Sequence, residues 1–437
     1  MQTKYLIIGS SHAGLSAADE IRVHDSDSPL TMISMEDCLP YSPTILPYIL
    51  EGKVEEKNVY LRDEKFFQDK KINFLRGKKA VKVDPSVAKV ELDDGREISY
   101  EKLLIATGSE PTLPPIPGLK ESPYYVLRTM EDAKRINAAA MQAKSAVILG
   151  TGLVGMHAAE ALGRKGLKVT MVELLPQILP GYFDAEAAKF VQGVFTKHGI
   201  AFYLNNPAVK VESSSVTTKI SLKEGQEIEG ELLLVATGVK PRVEFLRDTN
   251  IQIEQGIIVD EFMRTSQENI WAAGDVAQGK DFFTSKTGLN AILPDAYEQG
   301  KIAGLSMAGD PAVIMAFEEL GQELAFSYPG GINRNTFNFY GNRSFSVGLA
   351  LATEEDGYEI DKMFFPGGGV YQKLVFQGEV LVGAIGINVT LDPGVILNLI
   401  RRKVLLGNVK SEFVVKPLEM SRQLMWSHWR GVAVKRN

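Results

Sequence analysis

Cysteine is almost missing from this chain, which has one, Cys38, among 437 residues. A single thiol excludes an intramolecular disulfide, an iron–sulfur cluster and a cysteine-rich zinc site, because each of these needs several thiolates. The sequence also lacks an apolar run of the roughly 20 residues that a membrane-spanning helix requires. We therefore expect a cytoplasmic protein with no metal site and no membrane insertion.

An excess of positive charge is missing as well. The chain has 48 Lys and Arg against 54 Asp and Glu, for a net charge of −6. A nucleic-acid partner would require a concentrated basic face, so we expect none. Length and composition are those of a globular protein with two or three domains.

What the sequence does contain is two glycine loops about one domain apart. The first is Gly9-Ser10-Ser11-His12-Ala13-Gly14, and the second is Gly150-Thr151-Gly152-Leu153-Val154-Gly155. Each follows a short apolar run and precedes an Ala-rich stretch, the strand–loop–helix context of a dinucleotide-binding fingerprint. Ser11 stands at the second glycine position of the first loop, where its hydroxyl can donate to a phosphate. Two such loops predict two dinucleotides and hydride transfer between them.

An acidic residue follows each loop at the end of the next strand. Glu36 lies 22 residues after Gly14, and Glu173 lies 23 residues after Gly150. Acids at this spacing bind the ribose hydroxyls of the cofactor. Residues 174–176 are Leu, Leu and Pro, and none of them can pair with a 2′-phosphate. The second loop is therefore predicted to prefer NAD to NADP.

The order of strand, glycine loop, helix and Ala-Thr-Gly turn in the first nucleotide-binding segment is repeated in the second. Ala106-Thr107-Gly108 and Ala236-Thr237-Gly238 each follow an apolar strand. The alternation of strands and helices predicts an α/β fold with two Rossmann-like, three-layer nucleotide-binding domains and an α+β C-terminal domain. The expected segments are a first FAD-binding part, an NAD-binding domain, a second FAD-binding part and a C-terminal interface domain, at 1–118, 119–242, 243–325 and 326–437.

The two loops, the two Ala-Thr-Gly turns and Trp271-Ala-Ala-Gly-Asp275 resemble, in this order, the fingerprints of the pyridine nucleotide–disulfide oxidoreductase superfamily. The resemblance covers about residues 1–325 and implies FAD at the first loop and NAD(H) at the second. The implied FAD-binding residues are Gly9, Ser11, His12, Ala13, Gly14, Glu36, Val81, Ala106, Thr107, Gly108, Gly274, Asp275 and Pro294. The implied NAD-binding residues are Gly150, Gly152, Leu153, Val154, Gly155, Glu173, Ala236, Thr237 and Gly238.

The resemblance also implies roles within the FAD site. Asp275 would contact the ribityl–pyrophosphate part of FAD, and the backbone at Val81 would contact the adenine. Pro294 would open a helix whose N-terminus lies near the flavin, where the positive end of the helix dipole stabilises the reduced ring.

Two residues are candidates for a catalytic role. Cys38 precedes Leu39-Pro40-Tyr41, one position from the redox cysteine of single-cysteine relatives, and its alternative is an ordinary semi-buried residue. His157 follows the second loop and is a candidate contact of the nicotinamide, or else a helix histidine with a structural role. Neither role is needed for hydride transfer, which depends on approach and orientation.

A narrower resemblance rests on five segments, at residues 12–14, 39–44, 155–160, 181–184 and 290–295. They are similar to the flavin subunits of multi-subunit 2-oxoacid or aldehyde oxidoreductases of phenylglyoxylate dehydrogenase type, which serve anaerobic aromatic degradation. This resemblance implies an FAD-dependent NADH:acceptor oxidoreductase subunit that exchanges electrons with an iron–sulfur partner subunit. Two alternatives stay open: a free-standing NADH oxidase or rubredoxin reductase, and a structural flavin-binding assembly subunit.

Overall fold

The computed structural model describes residues 1–309 and 327–434. Its helices, in chain order, are α1 (His12–His24), α2 (Leu46–Glu51), α3 (Glu64–Asp69), α4 (Met130–Ala140), α5 (Leu153–Arg164), α6 (Ala185–Lys197), α7 (Leu293–Ala308), α8 (Pro393–Arg401), α9 (Lys410–Val415) and α10 (Pro417–Val434). Within the described residues, no helix is both long enough and apolar enough to cross a membrane.

The strands are also named in chain order. They are β1 (Gln2–Ile8), β2 (Leu30–Ile33), β3 (Ile72–Leu75), β4 (Ala80–Asp84), β5 (Lys89–Leu92), β6 (Glu97–Ile105), β7 (Ser109–Pro111), β8 (Ser145–Leu149), β9 (Lys168–Val172), β10 (Ala201–Tyr203), β11 (Ala208–Ser213), β12 (Thr218–Leu222), β13 (Glu227–Gly230), β14 (Leu232–Val235), β15 (Val239–Pro241), β16 (Ile257–Ile258), β17 (Ile270–Ala272), β18 (Ala277–Lys280), β19 (Thr287–Leu289), β20 (Arg334–Phe339), β21 (Asn342–Gly348), β22 (Glu359–Phe365), β23 (Val370–Gln377) and β24 (Val380–Ile387).

The first of two compact units comprises residues 1–112, 128–133 and the described part of 238–331. Its main sheet has the order β3-β2-β1-β6-β5-β4, with β17 also paired to β6. Strand β1 is parallel to both β2 and β6. Strands β2 and β6 lie on opposite sides of β1, so the connections of the sheet run in opposite directions from it. Such a change of direction opens a crevice beyond the carboxyl end of β1. The first glycine loop lies at this point.

Helix α7 packs closely on α1 in this unit. A Cβ on Gly300 would lie 2.2 Å from the carbonyl oxygen of Ala13, and one on Gly304 would lie 2.6 Å from that of Ala17. The Ser16 hydroxyl also donates to the carbonyl of Tyr297 at 2.8 Å. The glycines thus let α7 rest directly on the backbone of the helix that follows the first loop.

The second unit comprises residues 113–127, 134–237 and the described part of 332–437. It contains a four-stranded sheet of order β10-β9-β8-β14, a three-stranded sheet of order β11-β12-β13, and a five-stranded sheet of order β20-β21-β24-β23-β22. The first of these sheets is parallel and the other two are antiparallel. Together with the parallel sheet of the first unit, this arrangement confirms the expected α/β class with two Rossmann-type sheets and an α+β C-terminal part.

Side chains attach the C-terminal sheet to the helices of the same unit. Glu160 in α5 accepts hydrogen bonds from the backbone of Tyr340 at 2.9 Å and from Arg164 at 2.8 Å. Asp184, which caps α6, accepts a hydrogen bond from the hydroxyl of Tyr371 at 2.5 Å. The division into four segments at residues 118, 242 and 325 stays a prediction, and its last boundary lies outside the described residues.

Candidate functional site

The first glycine loop is held by direct backbone contacts. Gly9 has a φ of +118°, and a Cβ there would lie 2.0 Å from the carbonyl oxygen of Ala106. A Cβ on Gly14 would lie 2.0 Å from the carbonyl oxygen of Gly9. Only glycine fits either position, because any side chain would push the loop away from β6 or the helix away from the loop. The predicted turn is therefore tight enough to bring the start of α1 to the sheet edge.

The second loop repeats this geometry at the same positions. Gly150 has a φ of +101°, and a Cβ there would lie 2.4 Å from the carbonyl oxygen of Ala236. A Cβ on Gly155 would lie 2.3 Å from the carbonyl oxygen of Gly150. The duplication seen in the sequence thus extends to equivalent carbonyl contacts.

Gly152, between these two residues, has the opposite surroundings. A Cβ at Gly152 would meet no described atom within 4 Å. Gly152 precedes α5, whose first two residues are Leu153 and Val154, and Val154 is exposed. An open position before a helix with unpaired N–H groups is where a pyrophosphate approaches the backbone. The second loop therefore fits a dinucleotide.

The first loop faces a small cleft. Its walls are formed by Ser10, Ser11, Ser34, Glu36, Cys38, Leu39, Pro40, Tyr41 and Pro43. Ser11 precedes α1, and its side chain caps no backbone N–H among the described residues. A free hydroxyl, a helix N-terminus and a carboxylate are the groups that phosphates and a ribose require. The first loop thus also fits a dinucleotide. Cys38 is half-buried in the wall of this cleft.

Glu36 is held in a fixed orientation. Its carboxylate accepts hydrogen bonds from the Tyr41 hydroxyl at 2.8 and 3.0 Å and from the backbone N–H of Met130 at 3.1 Å. Burial and the charge of Glu36 raise the pKa of Tyr41, so Tyr41 stays a donor. An ionised carboxylate has about four acceptor positions, so capacity for ribose hydroxyls remains.

Asp275 is fixed in a similar way by residues from distant segments. It accepts hydrogen bonds from the Ser109 hydroxyl at 2.8 Å and from the guanidinium of Arg128 at 3.0 Å. The backbone N–H of Gly274 donates to the side chain of Gln299 at 2.8 Å, and Gly274 has a φ of +82°. The strand β17 and the helix α7 therefore fix the Gly274–Asp275 turn. This turn lies beside the first loop, since a Cβ on Gly274 would be 3.2 Å from the Cβ of Ala13.

The other residues expected at the FAD site also lie in the first unit. Val81 is exposed and lies where the pairing of β4 with β5 shifts register, so it has no paired residue in β5. Thr107 donates to the carbonyl of Arg242 at 3.0 Å, and Gly108 has a φ of +66°. Pro294 occupies the first turn of α7. Their contacts with FAD stay a prediction.

Glu173 binds the glycine loop itself. One carboxylate oxygen accepts hydrogen bonds from the backbone N–H of Thr151 at 2.8 Å and from its hydroxyl at 2.7 Å. The other accepts from the backbone N–H of Leu175 at 3.0 Å. Glu173 therefore orders the second loop in addition to its predicted role at the ribose.

The other residues predicted near NAD lie after β14 and in α5, and their contacts with NAD stay a prediction. Ala236 follows β14, its N–H donates to the carbonyl of Leu149 at 2.8 Å, and Thr237 and Gly238 continue the turn, with a φ of +112° at Gly238. The ring of His157 in α5 packs on Phe339, with ring centroids 4.6 Å apart. This contact gives His157 a packing role, and a contact with nicotinamide stays a prediction.

Several partners of the site residues were not themselves predicted from the sequence. Arg128, Ser109, Gln299 and Tyr41 each form a hydrogen bond with a predicted site residue or with its immediate neighbour. Such partners are selected by tertiary packing and not by a local pattern. Ser42 belongs to the same group, because it lies 2.9 Å from the ring of His12.

Two loops of equivalent geometry, each with a carboxylate at the end of the next strand, define a protein that binds two dinucleotides. The sequence model of the pyridine nucleotide-disulphide oxidoreductase family matches residues 3–310. The chain belongs to this family, a class of FAD-dependent NAD(H) oxidoreductases, and FAD and NAD(H) are its cofactors. The resemblance deduced from the motifs is confirmed.

Three individual proteins show what this chain is similar to in sequence or in fold. The chain is 43% identical over 431 residues to the NADH-dependent phenylglyoxylate dehydrogenase subunit epsilon of Aromatoleum evansii, and the match covers 98% of each chain. It is 28% identical over 306 residues to the rubredoxin-NAD(+) reductase of Pseudomonas putida, covering 70% of this chain and 80% of that one. Its fold is similar to that of an NAD-dependent persulfide reductase from A. fulgidus, with a TM-score of 0.82, 26% identity, and coverage of 94% of this chain and 78% of that one.

Proposed function

We propose that this protein is the NADH-oxidising flavin subunit of a multi-subunit 2-oxoacid or aldehyde oxidoreductase, and that it exchanges electrons with an iron–sulfur partner subunit. The observation that carries the proposal is the near full-length similarity to a subunit of a phenylglyoxylate dehydrogenase. One cysteine cannot hold an iron–sulfur cluster, since such clusters need about four protein ligands. The one-electron side of the reaction therefore belongs to another chain. A cytoplasmic location stays a prediction.

The chain itself supplies binding and orientation. Bound FAD accepts a hydride as an electron pair and releases electrons singly. In the first unit, the N-terminus of α1 and Ser11 would hold the FAD phosphates, and Glu36 would hold a ribose. Asp275 would bind the ribityl–pyrophosphate part, with Arg128 fixing its carboxylate.

The second loop would select the hydride donor. The open position at Gly152 would admit the pyrophosphate of NADH, and Glu173 would accept hydrogen bonds from the adenosine ribose. A 2′-phosphate would meet this carboxylate and the exposed, uncharged Leu174. Charge repulsion without a compensating cation disfavours NADPH.

The main alternative acceptor is a free-standing carrier, as the name rubredoxin-NAD(+) reductase states for one relative. A second alternative keeps FAD for assembly and has little turnover. The three proposals differ in whether the chain passes electrons on and in whether it does so within a stable complex.

The test is anaerobic NADH oxidation by the FAD-loaded chain with a purified two-cluster ferredoxin as acceptor, followed by the visible absorbance of the clusters. We expect NADH-dependent reduction of the ferredoxin, and co-purification of an iron–sulfur subunit when the tagged chain is isolated from its native host. Rapid NADH oxidation in a parallel assay with air or with rubredoxin, and no co-purifying subunit, would favour the free-standing enzyme. A flavin that NADH does not reduce would contradict both enzymatic proposals.

A further inference from the structure

The carboxylate of Glu173 lies directly against the second glycine loop. Its Oε2 accepts two hydrogen bonds from Thr151, one from the backbone N–H at 2.8 Å and one from the hydroxyl at 2.7 Å. Thr151 is fully buried, and its carbonyl accepts a hydrogen bond from the N–H of Leu179 at 3.0 Å. The next residue is Gly152, the open position at which we place the pyrophosphate. The carboxylate is therefore held one residue away from that position.

These contacts fill most of the acceptor positions of the carboxylate. An ionised carboxylate has about four of them, two on each oxygen. The two bonds from Thr151 fill those of Oε2, and the backbone N–H of Leu175, at 3.0 Å, takes one of the two on Oε1. The described residues thus leave one acceptor position, on Oε1. Glu173 is half-buried and the neighbouring Leu174 and Leu175 are exposed, so a ligand can reach this part of the chain.

The adenosine ribose of NADH carries two hydroxyl donors, at its 2′ and 3′ positions, and one acceptor position cannot serve both. An acid at the end of this strand is the expected partner of the 2′-hydroxyl. We propose that Glu173 accepts a hydrogen bond from the 2′-hydroxyl alone, and that Thr151 is a positioning residue that fixes the carboxylate and fills its other oxygen, an inference that rests on the proposed function and narrows the ribose contact to one hydroxyl.

Coenzyme analogues that lack one hydroxyl of the adenosine ribose test this contact on the wild-type protein. The FAD-loaded chain is titrated in a calorimeter with NAD⁺, with its 2′-deoxy analogue and with its 3′-deoxy analogue. We expect the 2′-deoxy analogue to bind at least about tenfold more weakly, the loss expected for one hydrogen bond to a charged group, and the 3′-deoxy analogue to bind like NAD⁺. No loss, equal losses for both analogues, or a loss for the 3′-deoxy analogue alone would contradict the proposal.

Thr151→Val tests the positioning role, because it removes the hydroxyl and keeps a branched side chain of similar size. One of the two bonds to Oε2 is lost, so the carboxylate has to be ordered when the ribose binds. We expect the Kd of NAD⁺ to rise by about fivefold, the scale of ordering one side chain. The limiting rate of flavin reduction at saturating NADH should not change, because a loss of uniform binding alters KM and not kcat. Thr151→Ser retains the hydroxyl and should restore the wild-type affinity.

The matched control is Thr218→Val in β12 of the same unit. Thr218 is also buried, but its hydroxyl lies 3.2 Å from that of Ser213, in the three-stranded sheet and not at the glycine loop. This variant should bind NAD⁺ like the wild-type protein. Equal losses of affinity in Thr151→Val and Thr218→Val would indicate a general loss of stability and contradict the positioning role.

Binding and reduction are measured separately, so failure of this contact can be distinguished from failure of the proposed function. Wild-type protein that binds NAD⁺ with the expected preference for the 2′-hydroxyl, but whose flavin NADH does not reduce, would contradict the proposed function and leave the contact supported. Wild-type protein whose flavin is reduced by NADH, but which binds the 2′-deoxy analogue as tightly as NAD⁺, would contradict the contact alone.

Discussion

Replacing Gly152 with valine is expected to leave the protein folded and its FAD bound, yet to slow flavin reduction by NADH at least about a hundredfold, the scale produced when a bound reactant is displaced by about 1 Å. A Cβ at this position would meet no described atom within 4 Å, so we expect the fold to be kept. It would instead occupy the space in which we place the NADH pyrophosphate. Stopped-flow absorbance of the flavin after mixing with NADH measures the effect, and thermal unfolding verifies the fold.

Two other glycines of the same unit serve as controls. Gly193→Val introduces the same side chain at an exposed position of α6 where a Cβ also meets no described atom within 4 Å, and we expect normal reduction. Gly150→Val should instead impair folding of the second unit, because a Cβ there lies 2.4 Å from the carbonyl of Ala236 and φ is +101°. Wild-type reduction rates in Gly152→Val would show that NADH does not bind at this loop.

The double substitution Glu173→Ala with Leu174→Arg is expected to reverse the coenzyme preference. The acid that repels a 2′-phosphate is removed, and a guanidinium that can bind it bidentately is added. We expect the ratio of kcat/KM for NADH over NADPH to fall by about a thousandfold, because the lost and the gained charged hydrogen bonds each change binding by about 2 kcal/mol. Steady-state reduction of ferricyanide with each coenzyme gives this ratio.

Glu173→Gln separates the two roles of the acid. The amide oxygen can still accept the hydrogen bonds from Thr151, so the loop should stay ordered, while the negative charge and the hydrogen bond from the Leu175 N–H are lost. We expect weaker discrimination against NADPH and little change in thermal stability. If the double variant still prefers NADH as strongly as the wild-type protein, then Glu173 does not face the adenosine ribose and the assignment of the second loop is wrong.

The glycine loops and their carboxylates could be predicted from the sequence because their signals are local. The turn conformation, the strand before it and the helix after it are encoded within about 30 residues. The duplicated Ala-Thr-Gly turns could be predicted as well, and the structure brings Ala106 and Ala236 to the same carbonyl contacts. Helix α1 begins at His12, inside the glycine loop.

The residues that hold these groups in place could not be predicted. Arg128 lies 147 residues from Asp275, and Met130 lies 94 residues from Glu36, yet each pair is joined by a hydrogen bond. The packing of His157 on Phe339 likewise joins an early helix to the C-terminal sheet. Such contacts depend on how the sheets and helices assemble, and a single sequence contains no local pattern that specifies them.

The measurement that tests the central claim most directly is an anaerobic titration of the purified, FAD-loaded chain with NADH, followed by flavin absorbance and repeated with NADPH. Our account predicts that one equivalent of NADH bleaches the flavin and that NADPH does so far more slowly, because Glu173 and its uncharged neighbours disfavour a 2′-phosphate. A flavin that stays oxidised in excess NADH would contradict the claim that the two loops bind FAD and NAD(H) for hydride transfer.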